Sequence, residues 1–351
     1  MIAICTWIMA CVVAAACVAQ PPPPPPLPLP PVRPPSRPLS PPPTAAKPTV
    51  TPARPVTPRP AVPVNSRPAT PKPSARGAAD KSKMKIESLE LVTKDNIKLR
   101  AFYFPSEKGK EAIPVIVLHE WQGQASPYSG LVRSLWEAGC AVIVPEYRGH
   151  GDSREYEVGG RKREFDVARM GRSDVANIIG GDMETVKKFL KEENNAERLN
   201  LNALTLIGVR EGAVIAAQWA VGDLNFPSIG SLKQGQDVKA LVLVSPEKIL
   251  KGFSLDETLQ DRLLWQLPFM IIVGQGSTQF EDAERFYKRL ETMKKRAGRG
   301  AAEGLRYEVV PTSLAGPALV NEAPGVIDKI TSFVKTELVD KSSKIPWVAR
   351  E

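Results

Sequence analysis

Histidine is almost missing from this chain: 351 residues hold two, His119 and His150. Any imidazole base must be one of these. As zinc ligands from separate stretches they would need Glu120, Glu146 or Asp152 to complete a site, so neither a metal nor a cofactor is expected. Cysteine is as scarce. Of four, Cys5, Cys11 and Cys17 crowd the start, leaving Cys140 alone in the remainder. That excludes a disulfide framework and a cysteine-based zinc site, and Cys140, at the head of an apolar run, reads as a small buried hydrophobe. Acidic residues are missing from the front of the chain. Between Gln20 and Lys83 ten Lys or Arg accompany one acid, Asp80, whereas 37 basic and 37 acidic residues balance from Met84 onward. The overall charge of +9 therefore belongs to the N-terminal segment and implies no nucleic-acid partner for the folded part.

What the front of the chain does contain is apolar sequence and then proline. Residues 1–19 are uncharged and apolar and end in small residues, the pattern of a secretory signal peptide cleaved after Ala19. The segment lacks a leading Lys or Arg, which leaves an uncleaved anchor, or lipid modification at Cys17, as alternatives. A secreted, periplasmic or envelope-tethered protein is expected. Of the 35 prolines, 24 lie between Pro21 and Pro73. Proline at that density forbids helix and sheet and favours an extended chain rising about 3.1 Å per residue. Residues 20–83 are thus a basic spacer, either resting its Arg and Lys on an anionic envelope polymer or solvated without a partner.

A single folded domain is expected over 84–340, with 341–351 as a C-terminal tail. Apolar residues alternate from Ile86 to Leu91 and from Ile97 to Tyr103 around Lys94-Asp95-Asn96, which predicts a β-hairpin. Short apolar runs follow at Ile113–Leu118, Ala141–Val144, Ala203–Ile207, Val238–Val244, Phe269–Val273 and Tyr307–Val310. Helical patterns separate most of them, at Tyr128–Ala138, from Ser173 or Asp174 to Lys191, after Gly212, and at Glu281–Lys295, with Val326–Val334 closing the chain. A charged loop is expected over 154–172 and a polar connection with some helical periodicity over 247–265. Strands alternating with helices after a hairpin give an α/β fold, one doubly wound and mostly parallel sheet with an antiparallel N-terminal hairpin.

Three turns carry the remaining information. The run ending at Ile207 leads into Gly208-Val209-Arg210-Glu211-Gly212 and then a helix with Ala213, Ala216, Ala217 and Ala220 on one stripe. Glycines four apart permit a sharp reversal, and the alanines let the helix lie close to the sheet. His119-Glu120-Trp121-Gln122-Gly123 follows the first buried strand, and Tyr147-Arg148-Gly149-His150-Gly151-Asp152-Ser153 follows the second. In order and spacing these resemble the oxyanion loop, the following strand's loop and the nucleophile elbow of the α/β-hydrolases, over about Ile86 to Val339. The form H-E-x-x-G is similar to the dienelactone hydrolase branch, where a glutamate faces the nucleophile.

Arg210 stands where that resemblance puts the nucleophile, and a guanidinium has no lone pair to attack a carbonyl. The resemblance puts the triad acid in Gly274-Gln275-Gly276-Ser277 and the histidine in Pro311–Gly316, and neither stretch supplies one. The chain is accordingly expected to be a pseudo-hydrolase that binds a ligand or acts as a scaffold. The alternative is an esterase or dienelactone hydrolase-type enzyme with a rearranged site, taking Ser245, Ser277 or Ser313 as nucleophile and His119 or His150 as base. The degenerate pocket is assigned to Glu120, Arg210, His119 and Trp121. Within it, the resemblance implies a Glu120–Arg210 ion pair, a small anion at Arg210 is a second expectation, and Trp121 is the candidate for ligand contact at the mouth. Trp136, like the histidines, reads as packing.

Overall fold

A computed structural model describes residues 83–227, 233–298 and 303–350. The segments expected to be a signal peptide and a proline-rich spacer, up to residue 82, lie outside the described residues. The main sheet has eight strands: β1 (Glu87–Val92), β2 (Lys98–Phe104), β3 (Ile113–Leu118), β4 (Cys140–Pro145), β5 (Leu204–Val209), β6 (Val238–Val244), β7 (Phe269–Gly274) and β8 (Leu305–Val310). Their order is β1-β2-β4-β3-β5-β6-β7-β8. β1 and β2 form the expected antiparallel hairpin, β2 runs antiparallel to β4, and every pairing from β4 to β8 is parallel.

Parallel strands must be covered on both faces, and the alternation of side chains along each strand divides the interior in two. Ile116 and Leu118 of β3, with Leu206 of β5, point into one core; it is closed by α3 (Met183–Asn195), α4 (Glu211–Leu224) and α5 (Phe280–Arg296). Val115 and Val117 of β3, with Ile207 and Val209 of β5, point into the other. That face is closed by α1 (Ser129–Glu137), α6 (Gly316–Glu322) and α7 (Val326–Glu337). Cys140 is buried at the start of β4. Because the strands from β3 to β8 point the same way, their following loops gather at one edge, and the three turns singled out in the sequence meet there.

Several segments differ in detail from the sequence pattern. The helix expected to run unbroken to Lys191 is a short helix α2 (Arg172–Asn177), a wide π-type turn over Ile178–Asp182, then α3. Gly180 and Gly181 lie in that turn, where low helical propensity makes an irregular turn cheap. The charged loop holds a solvated hairpin, Glu155–Val158 with Arg161–Glu164, turned by Gly159 and Gly160. Its alternation was hidden because both faces are polar, leaving no apolar period to read. Residues 247–265 hold a two-residue hairpin, Ile249–Leu250 with Phe253–Ser254, and a single helical turn Leu255–Thr258.

The end of the chain is bound to the domain. Asn194, Asn195, Asn200 and Asn202 donate side-chain hydrogen bonds to the backbone oxygens of Val348, Arg350, Ile345 and Pro346. No helix among the described residues is long and apolar enough to cross a membrane.

Candidate functional site

The turn from β5 into α4 is built by close approach. A Cβ placed on Gly208 would lie 2.5 Å from Ala213 Cα, and one on Gly212 would lie 2.5 Å from the carbonyl oxygen of His119. No side chain fits at either position, so the two glycines are required by packing and not an accident of an Ala/Gly-rich helix start. Between them Arg210 adopts φ 50°, ψ −116°. A side-chain-bearing residue held there costs on the order of 1–3 kcal/mol. The conformation lifts residue 210 to the apex of the turn, at the carboxyl edge of the sheet. Its N–H donates to Val244 O at 2.9 Å and its carbonyl accepts from Glu247 N at 3.3 Å, tying the apex to the loop after β6.

The Arg210 side chain does not meet Glu120, which corrects the ion pair expected from the sequence. Its stem lies against Gly316, whose Cβ, if present, would fall 2.7 Å from Arg210 Cδ. That contact turns the guanidinium toward the β6 loop, where Nη2 donates to Glu247 Oε1 at 2.7 Å, while Nε lies 3.9 Å from Glu211 Oε2. Gln279 donates to the same Glu247 oxygen at 2.8 Å. Glu120 meanwhile folds back over its own loop, its carboxylate packed against Gly123 and accepting the Tyr128 hydroxyl. Burial, and the charge of Glu120, push the Tyr128 phenol above its ordinary range and keep it a donor. Arg210 and Glu247 keep 38% and 25% of their side-chain surface exposed, so their attraction contributes about 1 kcal/mol or less.

Trp121 contributes its backbone. In the resembled enzymes the loop after β3 supplies one N–H of the oxyanion hole and the residue after the nucleophile supplies the other. Here the corresponding Trp121 N–H donates to Glu211 Oε2 at 3.2 Å. That N–H is thus committed to a carboxylate. The Trp121 ring packs edge-on against His150, with centroids 4.6 Å apart, and Lys251 Nζ lies 5.9 Å above it.

Both histidines are buried packing residues bonded to main chain. His119 Nδ1 lies 2.7 Å from Glu120 O and His150 Nδ1 lies 3.0 Å from Arg148 O. A carbonyl only accepts, so each Nδ1 carries the proton and each Nε2 holds the lone pair. Both Nε2 atoms are buried without a hydrogen-bond partner. Burial lowers the proton affinity of His119 to about 3, against a smaller opposing effect of its bond to Glu120 O, and burial lowers that of His150 as well. Tyr147, with its ring centroid 4.1 Å from that of His119, donates its hydroxyl to His119 O.

Of the three serines that could replace the nucleophile, two are bonded elsewhere. Ser245 Oγ accepts from Gly316 N at 3.1 Å, and Ser277 Oγ donates to Gly274 O at 2.8 Å. Ser313 sits beside Gly276. The stretches that would carry the acid and the histidine are knit together by main chain, Gln275 N to Val310 O at 2.8 Å and Gly276 N to Thr312 O at 2.9 Å. Among the described residues no three His, Cys, Asp or Glu side chains come together as metal ligands.

The residues the sequence reading missed are Glu211, Glu247 and Gln279. Glu211 had a signal, its place directly after the elbow apex. Glu247 and Gln279 had none, since only the packing of the β6 and β7 loops brings them to Arg210. Glu146, buried, staples the loops together by accepting from Ala125 N at 2.9 Å and Asp152 N at 2.8 Å.

No family model and no curated protein matches the sequence. Solved structures do match. The chain is similar to carboxyl esterase 2 of the fungus Tuber melanosporum (15% identity, TM-score 0.51, covering 75% of this chain and 90% of that one). It is likewise similar to an esterase from Pyrobaculum calidifontis (14%, 0.50, covering 73% and 86%) and to one from Pyrococcus furiosus (19%, 0.48, covering 76% and 98%). At such identities the likeness of the first two speaks for architecture alone. With its strand order, its elbow and the loops around it all in place, the chain has the α/β-hydrolase fold.

Proposed function

We propose that this domain binds or scaffolds and does not hydrolyse esters, and that it is held outside the cell or at the envelope on its proline-rich spacer. The observation that carries the reading is the elbow apex: a permanent cation replaces the nucleophile, and the neighbouring Glu211 carboxylate takes the Trp121 N–H. A substrate carbonyl entering there would meet a negative charge where catalysis needs donors. Neither imidazole is hydrogen-bonded to a hydroxyl, and a base with the proton affinity of His119 removes few protons near neutrality. An anionic ligand at Arg210 would have to displace Glu247, and the basic spacer offers its own contact to an anionic polymer.

The test is incubation of the purified domain with nitrophenyl esters and a fluorophosphonate probe. No turnover and no labelling are expected, for the Arg210→Ser variant as well, because a restored hydroxyl still lacks a base. The second reading, an esterase with a rearranged site, is favoured by the esterase names of the structural neighbours. Turnover that disappears on replacing His119 or His150 would establish it and overturn the first.

A further inference from the structure

Away from the sheet edge, α3, the β1–β2 turn, the segment leading into β6 and the C-terminal tail enclose a cleft of about 620 Å³. Glu120, Arg210, His119 and Trp121 take no part in it. Its lining is cationic: Lys94 from the hairpin turn, Lys187, Lys188 and Lys191 from α3, Lys233 before β6, and Arg350 from the tail. Only Glu184 and Asp237 oppose them on the walls. Its floor is a buried charge network in which the carboxylates are already shared. Lys187 bonds Asp223 at 2.6 Å and reaches Asp237 at 3.4 Å, Lys233 lies 3.3 Å from Asp237, and Arg350 also bonds Asp237. Glu184 is engaged by the Trp219 indole at 2.7 Å.

Above that floor Lys94, Lys188 and Lys191 have no ion-pair partner among the described residues, and Arg350 Nε is buried with no hydrogen-bond partner. Burial also depresses the proton affinity of Lys233, as it does that of nearby Lys239, against the attraction of Asp237. Exposed Lys94 and Lys188 and partly buried Lys191 thus set a local excess of positive charge over a balanced floor, and such a field draws an anion.

The donor types identify which anion. A guanidinium fork matches carboxylate and phosphate alike, whereas a lysine ammonium binds phosphate as a point charge. Here the one guanidinium is committed, to Asp237, to Asn202 Oδ1 at 2.7 Å and to Lys233 O at 2.9 Å. The free donors are lysine ammonium groups, compact charges that converge readily on tetrahedral oxyanions. Phe226, Val92 and Leu201 add an apolar wall for the body of a ligand.

We infer that this cleft is an anion-binding site for a ligand carrying two or more phosphate groups, recognised by Lys94, Lys188 and Lys191 above the Lys187–Lys233–Arg350 floor. The phosphates belong either to a small oligophosphorylated molecule or to a phosphodiester polymer. The site stands independently of whether the elbow is silent, since the two share no residue.

Calorimetric titration of the full chain with pyrophosphate at low ionic strength tests it, with poly(glycerol phosphate) as the polymer arm and citrate as the carboxylate control. Saturable pyrophosphate binding is expected, weakened at least about tenfold by the double substitution Lys188→Glu and Lys191→Glu and unchanged by Lys335→Glu, an exposed position of α7 on the other face of the sheet. Lys188 is exposed and Lys191 partly buried on α3; should that pair of changes unfold the protein, Lys94→Glu at the exposed hairpin turn makes the same test. Binding of the polymer alone, lost in the same variants, would assign the phosphates to a polymer. No heat with either phosphate probe, equal binding by the variants, or citrate binding as tightly as pyrophosphate would overturn the assignment.

Discussion

Acid should loosen this domain through His119, and the size of the effect follows from its surroundings. The ring is fully buried beside Tyr147 and His150, with Glu120 and Glu211 the charged groups around Tyr147. Its Nδ1 proton is committed to Glu120 O, and protonation would create an N–H at Nε2 with no acceptor. Its proton affinity in the folded state, about 3, compares with about 6.5 in an unfolded chain. Above pH 6.5 neither state is protonated there and the stability is fully present. Between pH 6.5 and 3 the unfolded chain takes up a proton that the folded one refuses, so stability falls as pH falls, by up to about 1.4 kcal/mol per pH unit. From pH 6.5 to 4.5 the loss from this one group is about 2 kcal/mol. His150, lowered by burial too, adds in the same direction. Paired carboxylates titrate in this range as well, so the quantity to measure is a difference: urea unfolding of the parent and of His119→Asn, whose amide can keep the bond to Glu120 O, at several pH values from 7 to 4.5. The parent should lose more stability than the variant by about the amount given. Parallel curves would refute the reasoning, because a histidine that is buried and unprotonated cannot leave the pH dependence unchanged when it is removed.

Three further outcomes follow from the same geometry. Gly212→Ala forces a Cβ into the carbonyl of His119 and should destabilise the fold by about 3 kcal/mol or more, read from denaturant midpoints. Asp182→Ala takes from the buried Arg148 guanidinium the buried carboxylate that holds it at 2.6 Å and leaves it only the exposed Asp95, also at 2.6 Å; it should cost on the order of 3 kcal/mol in the same assay. Glu247→Gln, by contrast, removes a charge from a pair open to solvent and should shift stability by about 1 kcal/mol or less.

Much of this architecture was legible before any coordinates. The apolar runs from Ile113 to Val310, each short and bounded by turn residues, determined a parallel sheet, because a strand covered on both faces has no reason to alternate. Glycines at 208 and 212 with alanines at 213, 216, 217 and 220 determined a sharp strand-to-helix reversal, since these are the residues that allow backbones to touch. That a cation stands at the apex of this reversal could be read from one letter, Arg210. What tertiary structure alone decided was where the charges go. Glu120 lies on a loop beside Arg210 in the topology, yet the Gly316 contact and the β6 loop swing the guanidinium to Glu247, and Glu211 reaches the Trp121 amide instead. Ion-pair choice depends on side-chain direction across loops far apart in sequence, and a linear pattern carries no term for it. The lysine-lined cleft is the same kind of fact: Lys94, Lys188, Lys233 and Arg350 are scattered over most of the folded chain, and only the docking of the tail against α3 and the segment before β6 brings them around one space.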